Sequence, residues 1–334
     1  MRKSTLFFAL VIGLVMIMSF GDVTEAAQYR MGAHYPSGYF VNNGFRRMAE
    51  RIKEQTNGNV EIVLYESSSL GSYEQVFQEV MQGTVDMTTN YPTSRFNKKF
   101  ELVATPSLAS GYPEIKKLLK IGSPFHAYVK SIYEETGVVY IGSFVDSIMG
   151  AAIAKGKTVK NPYDSSNKQM QLRTLPLTTV RKWWAAMGYQ LVTVPYAEVF
   201  TSMQTGVIDG DTGSGPEGAF LAFGDVTGTY IEYPNSFCLL DFVISKKAWD
   251  SFDDKTKNII IKAFEAESEV IYQEAVKSYD TYIQKMKDAG IKIVSPTAKD
   301  LKFMDEVAYK SSWPETAKYT GDKVLQDIKK YLGK

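Results

Sequence analysis

Few side chains in this chain are suited to covalent or metal chemistry. The 334 residues include two histidines, His34 and His126, and one cysteine, Cys238. There is no His-x-x-x-His motif, no Gly-x-Ser-x-Gly segment and no glycine-rich phosphate loop followed by Lys-Ser/Thr. A single cysteine also excludes an internal disulfide and a cysteine-based zinc site. We therefore expect no cofactor, no metal and no Ser-His-Asp triad.

The two histidines have different sequence contexts. His126 falls in a short amphipathic segment, where a surface role is the ordinary expectation. His34 falls in the turn after the first predicted strand, and open α/β sheets bind ligands at the carboxyl ends of their strands. We expect His34 to face a ligand cleft.

One charged residue has the chemistry of a ligand anchor. Gln171-Leu-Arg173 is typical of a short strand that ends at the mouth of a lobe. A guanidinium can hold a carboxylate through two parallel hydrogen bonds, which fixes both affinity and orientation. A surface arginine is the ordinary alternative for Arg173.

An internal repeat indicates the elements that position these residues. Tyr73 to Asp86 and Tyr196 to Asp209 share Tyr, Val, Phe, Gly and Asp in register. Each copy follows a short apolar run, carries apolar residues at helical spacing and stops at a glycine. The pattern predicts strand, helix and strand, built twice, in two similar α/β lobes with a cleft between them.

Further elements follow from periodicity and from helix start and stop signals. An acidic start at Asp253, an amphipathic pattern and a stop at Gly290 predict a helix long enough to brace both lobes. No linker rich in Pro, Gly or Ser separates the lobes, which favours a hinge. The other predicted elements are a strand at 29–33, a helix ending near Thr56, two short helices within 112–137, a strand at 138–144 and a helix at 180–187.

The amino terminus and the charge balance indicate in which compartment the chain works and which partners it lacks. Arg2 and Lys3 precede an apolar stretch, and small residues follow near Ala26, as in a cleavable export signal. We assign 1–27 to the signal, 28–150 to a first lobe to which later chain returns, 151–250 to a second lobe and 251–334 to the long helix and helices packing across both. The whole chain has 38 Lys+Arg against 37 Asp+Glu, which gives no reason to expect nucleic acid.

The segment from Leu172 to Gly210 resembles the solute-binding subunits of TRAP transporters, the DctP type. The resemblance is carried by Leu172-Arg173 and by the run from Ala197 to Gly210, Ala-Glu-Val-Phe-Thr-Ser-Met-Gln-Thr-Gly-Val-Ile-Asp-Gly. It implies a two-lobed, hinge-closing, monomeric periplasmic receptor without enzymatic activity. Such a receptor delivers an organic acid to small and large multi-span permease subunits driven by an ion gradient.

The resemblance also implies site residues. Arg173 matches the arginine that clamps the substrate carboxylate, and Tyr196 matches an aromatic wall of the pocket. By the internal repeat, Tyr73 is the counterpart of Tyr196 in the first lobe. His34 and Tyr91 fall at positions that often face ligand. The loop residues Gly213 and Ser214 complete the expected site.

Two departures from the family pattern predict the class of ligand. Met149 stands where many members have a second arginine, and Gly213 stands where many have an asparagine. A dianion loses a partner at each position, while Gly213 either enlarges the pocket or offers a backbone N–H. We therefore expect a monocarboxylate with an apolar or aromatic remainder; a sulfonate would suit the same arginine.

Two other functions are compatible with these residues. A secreted two-domain hydrolase using paired carboxylates would show no clear sequence motif. A receptor that feeds a sensor instead of a permease would have the same sequence features.

Overall fold

The computed structural model describes residues 27–91 and 93–334. The predicted export signal lies outside these residues except for Ala27, which begins the first strand. The described strands are β1 (Ala27–Gly32), β2 (Val60–Tyr65), β3 (Met87–Asn90), β4 (Val138–Ala154), β5 (Gln171–Arg173), β6 (Gln190–Val192), β7 (Gly210–Ser214), β8 (Thr227–Ser245) and β9 (Lys292–Val294).

The described helices surround this sheet. They are α1 (Phe40–Gln55), α2 (Tyr73–Gln82), α3 (Gly111–Leu119), α4 (Pro124–Glu135), α5 (Thr178–Ala186), α6 (Val199–Gln204), α7 (Pro216–Phe223), α8 (Lys246–Ser251), α9 (Asp254–Asp288), α10 (Ala298–Ser311), α11 (Trp313–Thr320) and α12 (Asp322–Leu332). Short 3-10 helices lie at Lys98–Ala104, Tyr196–Glu198 and Gly224–Val226.

The predicted two-lobed α/β architecture is confirmed. The strands form one hydrogen-bonded sheet in the order β2-β1-β3-β8-β4-β7-β5-β6, with β9 on β8. The first lobe contains β2-β1-β3 and the second contains β6-β5-β7, each a parallel set. The antiparallel pair β4 and β8 runs through both lobes.

The strand predicted at 138–144 is much longer, and this part of the prediction was wrong. It continues to Ala154 because β8 pairs with it from Val138 to the far end. The register of the pair shifts between Val145 and Ser147 and again between Ile148 and Gly150. Such irregularities bend a strand and increase its local twist. They lie where the two strands pass from one lobe to the other, so this is the hinge region.

The repeat folds as predicted. The first copy is β2-α2-β3 and the second is β6-α6-β7, and each helix is followed by a glycine of positive φ, 71° at Gly83 and 75° at Gly206. The parallel register also corresponds between lobes, because Gly32 pairs with Thr88 as Arg173 pairs with Asp211. Gly32 therefore occupies in the first lobe the strand position that Arg173 occupies in the second.

Helix α9 braces the two lobes, as predicted. Asp253 caps it by accepting the Thr256 N–H at 2.7 Å, and Gly290 follows its end with φ 78°. The helix packs on α1 of the first lobe and on α7 and β9 of the second. Arg47 of α1 holds it through a 2.7 Å bond from Nε to Glu267.

Candidate ligand-binding site

Arg173 lies at the carboxyl end of β5 with its side chain only 7% exposed. Its Nε donates to the Val194 carbonyl at 3.0 Å and its Nη1 donates to Asp211 Oδ1 at 3.1 Å. A guanidinium has five N–H donors, and Nη2 makes no hydrogen bond to a described residue. The Nη1–Nη2 edge can still present two parallel donors to a carboxylate.

Asp211 fixes this orientation of Arg173. It is fully buried on β7, directly beside Arg173 in the parallel register. Its Oδ2 accepts the Gly213 N–H at 3.0 Å and the Ser214 hydroxyl at 2.8 Å. The guanidinium and these two neutral donors together surround the Asp211 carboxylate, which is closed to water. Arg173 and Asp211 therefore form a buried ion pair.

Gly213 is placed against the guanidinium. A Cβ at this position would lie 2.4 Å from Arg173 Nη1, closer than any real contact. Of the two expectations for Gly213, the free backbone N–H is wrong, because Asp211 accepts that N–H. The absence of a side chain at Gly213 instead leaves room for the Arg173 guanidinium.

The ring of Tyr196 lies over the Arg173 guanidinium. Its ring centroid lies 5.8 Å from Arg173 Cζ, within the range of a cation–π contact, and 41% of the residue remains exposed. Part of the Tyr196 side chain therefore remains accessible to solvent beside the guanidinium.

The first lobe contributes a chain of aromatic rings. The rings of His34 and Tyr35 are tilted against each other with centroids 4.1 Å apart, and Tyr35 stacks on Tyr39 at 4.2 Å. The Tyr73 ring lies 6.3 Å from that of His34. Burial lowers the pKa of His34 to about 4, so its imidazole is neutral at neutral pH. The positive charge of Arg173 acts on Tyr73 and partly offsets the rise in its pKa that burial causes.

Tyr91 and Met149 are both buried. Both belong to the apolar cluster that includes Cys238, and Met149 is 2% exposed. Ser236 Oγ donates to Met149 Sδ at 3.7 Å. The Tyr91 hydroxyl is buried with no hydrogen-bond partner in the described part of the chain.

Several buried polar atoms at the carboxyl ends of the strands lack partners within residues 27–91 and 93–334. A buried polar atom without a partner costs free energy, so such atoms mark places where a ligand or water completes the hydrogen bonding. They are His34 Nδ1, Thr89 Oγ1, Asn90 Oδ1, Tyr91 OH, Thr93 Oγ1 and Thr174 Oγ1.

Asp146 is a buried carboxylate at the hinge. It accepts the Tyr35 hydroxyl at 2.7 Å and the Tyr39 hydroxyl at 3.1 Å. Burial raises its pKa, against the effect of these donors. Because Tyr35 and Tyr39 belong to the first lobe and Asp146 to β4, these bonds join that lobe to the hinge strand.

Sequence reasoning missed several of these residues. Asp211 had a signal, because it lies two residues after Asp209, the aspartate that ends the second repeat copy. Asp146 and Tyr39 had no sequence signal, because only the fold brings β4 close to the residue that precedes α1. His126 was wrongly expected at the surface: its Nε2 bonds the Ile141 carbonyl at 3.2 Å in the core.

Metal binding and membrane insertion find no support in the described residues. Across 27–91 and 93–334 no three His, Cys, Asp or Glu side chains are placed to hold a metal ion. No helix in the same residues is long and apolar enough to cross a membrane.

The family model described as bacterial extracellular solute-binding protein, family 7 (DctP), matches residues 31–318. The chain belongs to this family. Among its DctP relatives, a solute-binding protein of Chromohalobacter salexigens is 22% identical over 298 residues, covering 85% of this chain and 84% of the relative.

Solved DctP-type structures share the fold. A TRAP periplasmic solute binding protein from Desulfovibrio salexigens, with bound orotic acid, has a TM-score of 0.83 at 19% identity, over 92% of this chain and 98% of that chain. Another from Rhodoferax ferrireducens, with bound malonate, has a TM-score of 0.79 at 19% identity, over 91% and 98%.

Proposed function

We propose that this DctP-family protein is the periplasmic receptor of a TRAP transporter and captures a small organic acid with one carboxylate or sulfonate. It binds the acid between its lobes and delivers it to a membrane permease with small and large multi-span subunits. The observation that carries this proposal is the buried Arg173, held by Asp211 and Val194 with its outer edge still able to donate.

The charge balance of the site supports a monoanion. Asp211 already neutralises Arg173, so a bound monoanion leaves one net negative charge and a dianion leaves two. Burying the second charge without a partner is costly. The rings of Tyr73, Tyr196 and Tyr35 supply apolar surface for the rest of the acid.

The aromatic and charged halves of the site come from different lobes. Arg173 and Tyr196 are in the second lobe, whereas His34 and Tyr73 are in the first. An acid held by both halves is therefore enclosed only when the lobes are together, which suits a receptor that must carry its solute to a permease.

The test combines identification and titration. The mature chain is purified without added solute, and the small molecules that it carries are identified by mass spectrometry. Calorimetry then compares the unmodified protein with Arg173→Ala and Arg173→Lys. We expect a loss of about 1.5–3 kcal/mol or more in Arg173→Ala. Arg173→Lys should also bind poorly, because an ammonium cannot reproduce the two-pronged geometry.

Arg181→Ala is the matched control. This arginine lies in the same lobe but bonds Thr193 Oγ1 at 2.9 Å, so its loss should leave affinity unchanged. Circular dichroism checks that Arg173→Ala remains folded with Asp211 unpaired. Unchanged affinity in both folded Arg173 variants would refute the proposal.

A further inference from the structure

A buried carboxylate of the first lobe caps a helix of the second lobe. Glu101 lies in the 3-10 helix Lys98–Ala104 and is fully buried. Its Oε1 accepts the Thr178 N–H at 3.1 Å, and its Oε2 accepts the Thr179 N–H at 2.9 Å. These two residues begin α5, the helix that follows the strand of Arg173. The carboxylate therefore joins a first-lobe segment to the helix next to the ligand anchor.

Helix α5 has no capping side chain of its own. The residue before it is Leu177, whose side chain makes no cap hydrogen bond. The first N–H groups of an α-helix lack partners within the helix, and a carboxylate is favourable there because the helix dipole is positive at that end. Glu101 supplies the acceptor that Leu177 lacks. Without it, the N–H of the fully buried Thr179 would lose its partner.

Buried hydroxyls extend this contact to α11. Thr316 Oγ1 lies 2.8 Å from Thr105 Oγ1 and 3.2 Å from Thr179 Oγ1. Ser312 Oγ donates to the Thr179 carbonyl at 2.9 Å. Each of these four residues is at most 1% exposed. The end of the 3-10 helix, the start of α5 and the start of α11 therefore form one hydrogen-bonded junction.

The segment that carries Glu101 is fixed in the first lobe. Its neighbours Phe100, Leu102 and Val103 are buried in the apolar cluster that includes residues of α2, α3 and α4. Ala104, at the end of the same 3-10 helix, belongs instead to the apolar cluster of α5. Glu101 is therefore held by the first lobe at the place where the chain meets the second.

The same segment is bonded to the hinge. The Ser107 N–H donates to the Asn235 carbonyl at 2.7 Å, and Asn235 Nδ2 donates to Ser107 Oγ at 2.9 Å. Asn235 lies on β8 where its register on β4 shifts between Ile148 and Gly150. A contact close to a hinge moves little when two lobes rotate. The bonds of Glu101 can therefore persist whether the lobes are apart or together.

The capped end of α5 is close to the anchor. Only the short connection 174–177 joins Arg173 to α5. The guanidinium is held by the Val194 carbonyl at 3.0 Å and by Asp211 at 3.1 Å, so it has one narrow place. Binding groups must be held within about 0.5 Å of their productive geometry. A displacement of the start of α5 is passed through this connection to the end of β5.

We propose that Glu101 is a positioning residue for Arg173, a pivot that holds the start of α5 against the first lobe while the lobes open and close. The inference rests on the proposed function, because Arg173 is the anchor that Glu101 positions. Glu101 acts through α5 and not through the acid itself. Its bonds to Thr178 and Thr179 persist with and without bound acid, and weakening them lowers the affinity for the acid.

Hydrogen exchange tests the pivot. In the unmodified mature chain the Thr178 and Thr179 amides should exchange slowly both without ligand and at saturation, as read by mass spectrometry with fragmentation to single residues. Glu101→Gln keeps the size of the side chain but replaces one acceptor oxygen by an NH₂ donor. At least one of the two amides should then exchange at least tenfold faster. Fast exchange in the ligand-free unmodified chain would overturn the pivot, because the bonds would then form only on closure.

Calorimetry tests the effect on the anchor. The probes are benzoate, hexanoate and benzenesulfonate, and the variants are titrated with the acid that the unmodified chain binds most tightly. Glu101→Gln should bind this acid at least fivefold more weakly. Glu114→Gln is the matched control and should change affinity less than twofold, because Glu114 also accepts a backbone N–H, that of Ser110 at 2.8 Å, but within the first lobe alone.

Urea unfolding of the same variants separates positioning from a purely structural role. A structural role predicts that Glu101→Gln loses stability and keeps its affinity, whereas positioning predicts a loss of affinity in the folded variant. If Glu101→Gln does not fold, Thr316→Val takes its place. It removes the hydroxyl between Thr105 and Thr179 in the same junction and should weaken binding at least threefold.

The outcomes separate the two claims. If an acid binds and Arg173→Ala abolishes binding, but folded Glu101→Gln binds as tightly as the unmodified chain, the positioning role is wrong and the proposed function stands. If none of the three acids binds, or if binding survives in Arg173→Ala, the proposed function fails and the positioning role fails with it.

Discussion

Asp86 and Asp209 make the same hydrogen bond in the two lobes. Asp86 Oδ2 accepts the Arg30 backbone N–H at 2.7 Å, and Asp209 Oδ2 accepts that of Gln171 at 2.8 Å. Both acceptors are the last residue of their repeat copy, and both donors lie two residues before the end of the neighbouring parallel strand. The aspartate that recurs in the repeat therefore joins neighbouring strands in both lobes.

Replacing either aspartate should lower stability without changing ligand affinity. Asp86→Ala and Asp209→Ala each leave a strand N–H without its acceptor, which costs about 1–3 kcal/mol in the free energy of unfolding. Urea unfolding followed by circular dichroism measures the loss. The corresponding Asn variants keep an acceptor oxygen and should lose less. Weakened ligand binding at unchanged stability would contradict this structural role.

Gly213→Ala should weaken binding by displacing the anchor. Its Cβ would lie 2.4 Å from Arg173 Nη1, so the guanidinium must move from its place beside Asp211. We expect at least a tenfold loss of affinity, about 1.4 kcal/mol or more, by calorimetry. Gly224→Ala is the control, because its added Cβ meets only Phe220 at 3.5 Å or beyond. Equal affinities for both variants and the unmodified protein would mean that the guanidinium position is not critical.

The sequence predicted the repeated units and the anchor because both depend on local pattern. Apolar spacing, a capping glycine and a strand-ending arginine are all visible within short segments. The length of β4 was not visible, since Ser147 to Gly150 has no regular alternation and becomes strand only through pairing with β8. The same holds for Asp146 and for the core position of His126, whose burial depends on residues distant in sequence.

Asp241 should make stability depend on pH. It is fully buried, accepts the Tyr133 hydroxyl at 2.8 Å and the Ser143 hydroxyl at 2.6 Å, and burial raises its pKa to about 7. An unfolded aspartate titrates near 3.9. Between about pH 4 and 7 the Asp241 carboxyl therefore binds more protons in the folded state than in the unfolded state, and its contribution to stability falls as pH rises.

Asp241→Asn isolates this contribution. Thermal unfolding across pH 4.5–8 should show that the midpoint of the unmodified protein, taken relative to that of Asp241→Asn, falls as pH rises. Asp250→Asn removes a carboxylate that bonds exposed Lys246 at 2.7 Å and should leave the profile as it was. Parallel profiles for unmodified protein and Asp241→Asn would show that Asp241 is ionised throughout.

Ligand binding should bring the lobes together. The hinge strands β4 and β8 shift register where they cross between lobes, and the two halves of the proposed site belong to different lobes. Small-angle scattering should therefore give a smaller radius of gyration at saturation than in ligand-stripped protein. Arg173→Ala at the same solute concentration is the control. An identical profile with and without bound ligand would indicate a rigid cleft.

We expect Met149 to make the protein bind dicarboxylates more weakly than monocarboxylates. Met149 supplies no cation for a second ligand carboxylate, and stranding that charge without a partner costs several kcal/mol. Each 1.4 kcal/mol is tenfold in affinity, so succinate, malate and fumarate should bind at least a hundredfold more weakly than the best monocarboxylate or sulfonate of similar size. Met149→Arg should narrow this gap by supplying a cation, provided that Asp146 does not pair with it, whereas Met149→Leu preserves volume and should leave the gap unchanged. A thermal-shift screen followed by titration measures all three proteins. Since a relative of this fold holds malonate, tight binding of a C4-dicarboxylate by the unmodified chain is the result that would show Met149 does not set the charge of the ligand.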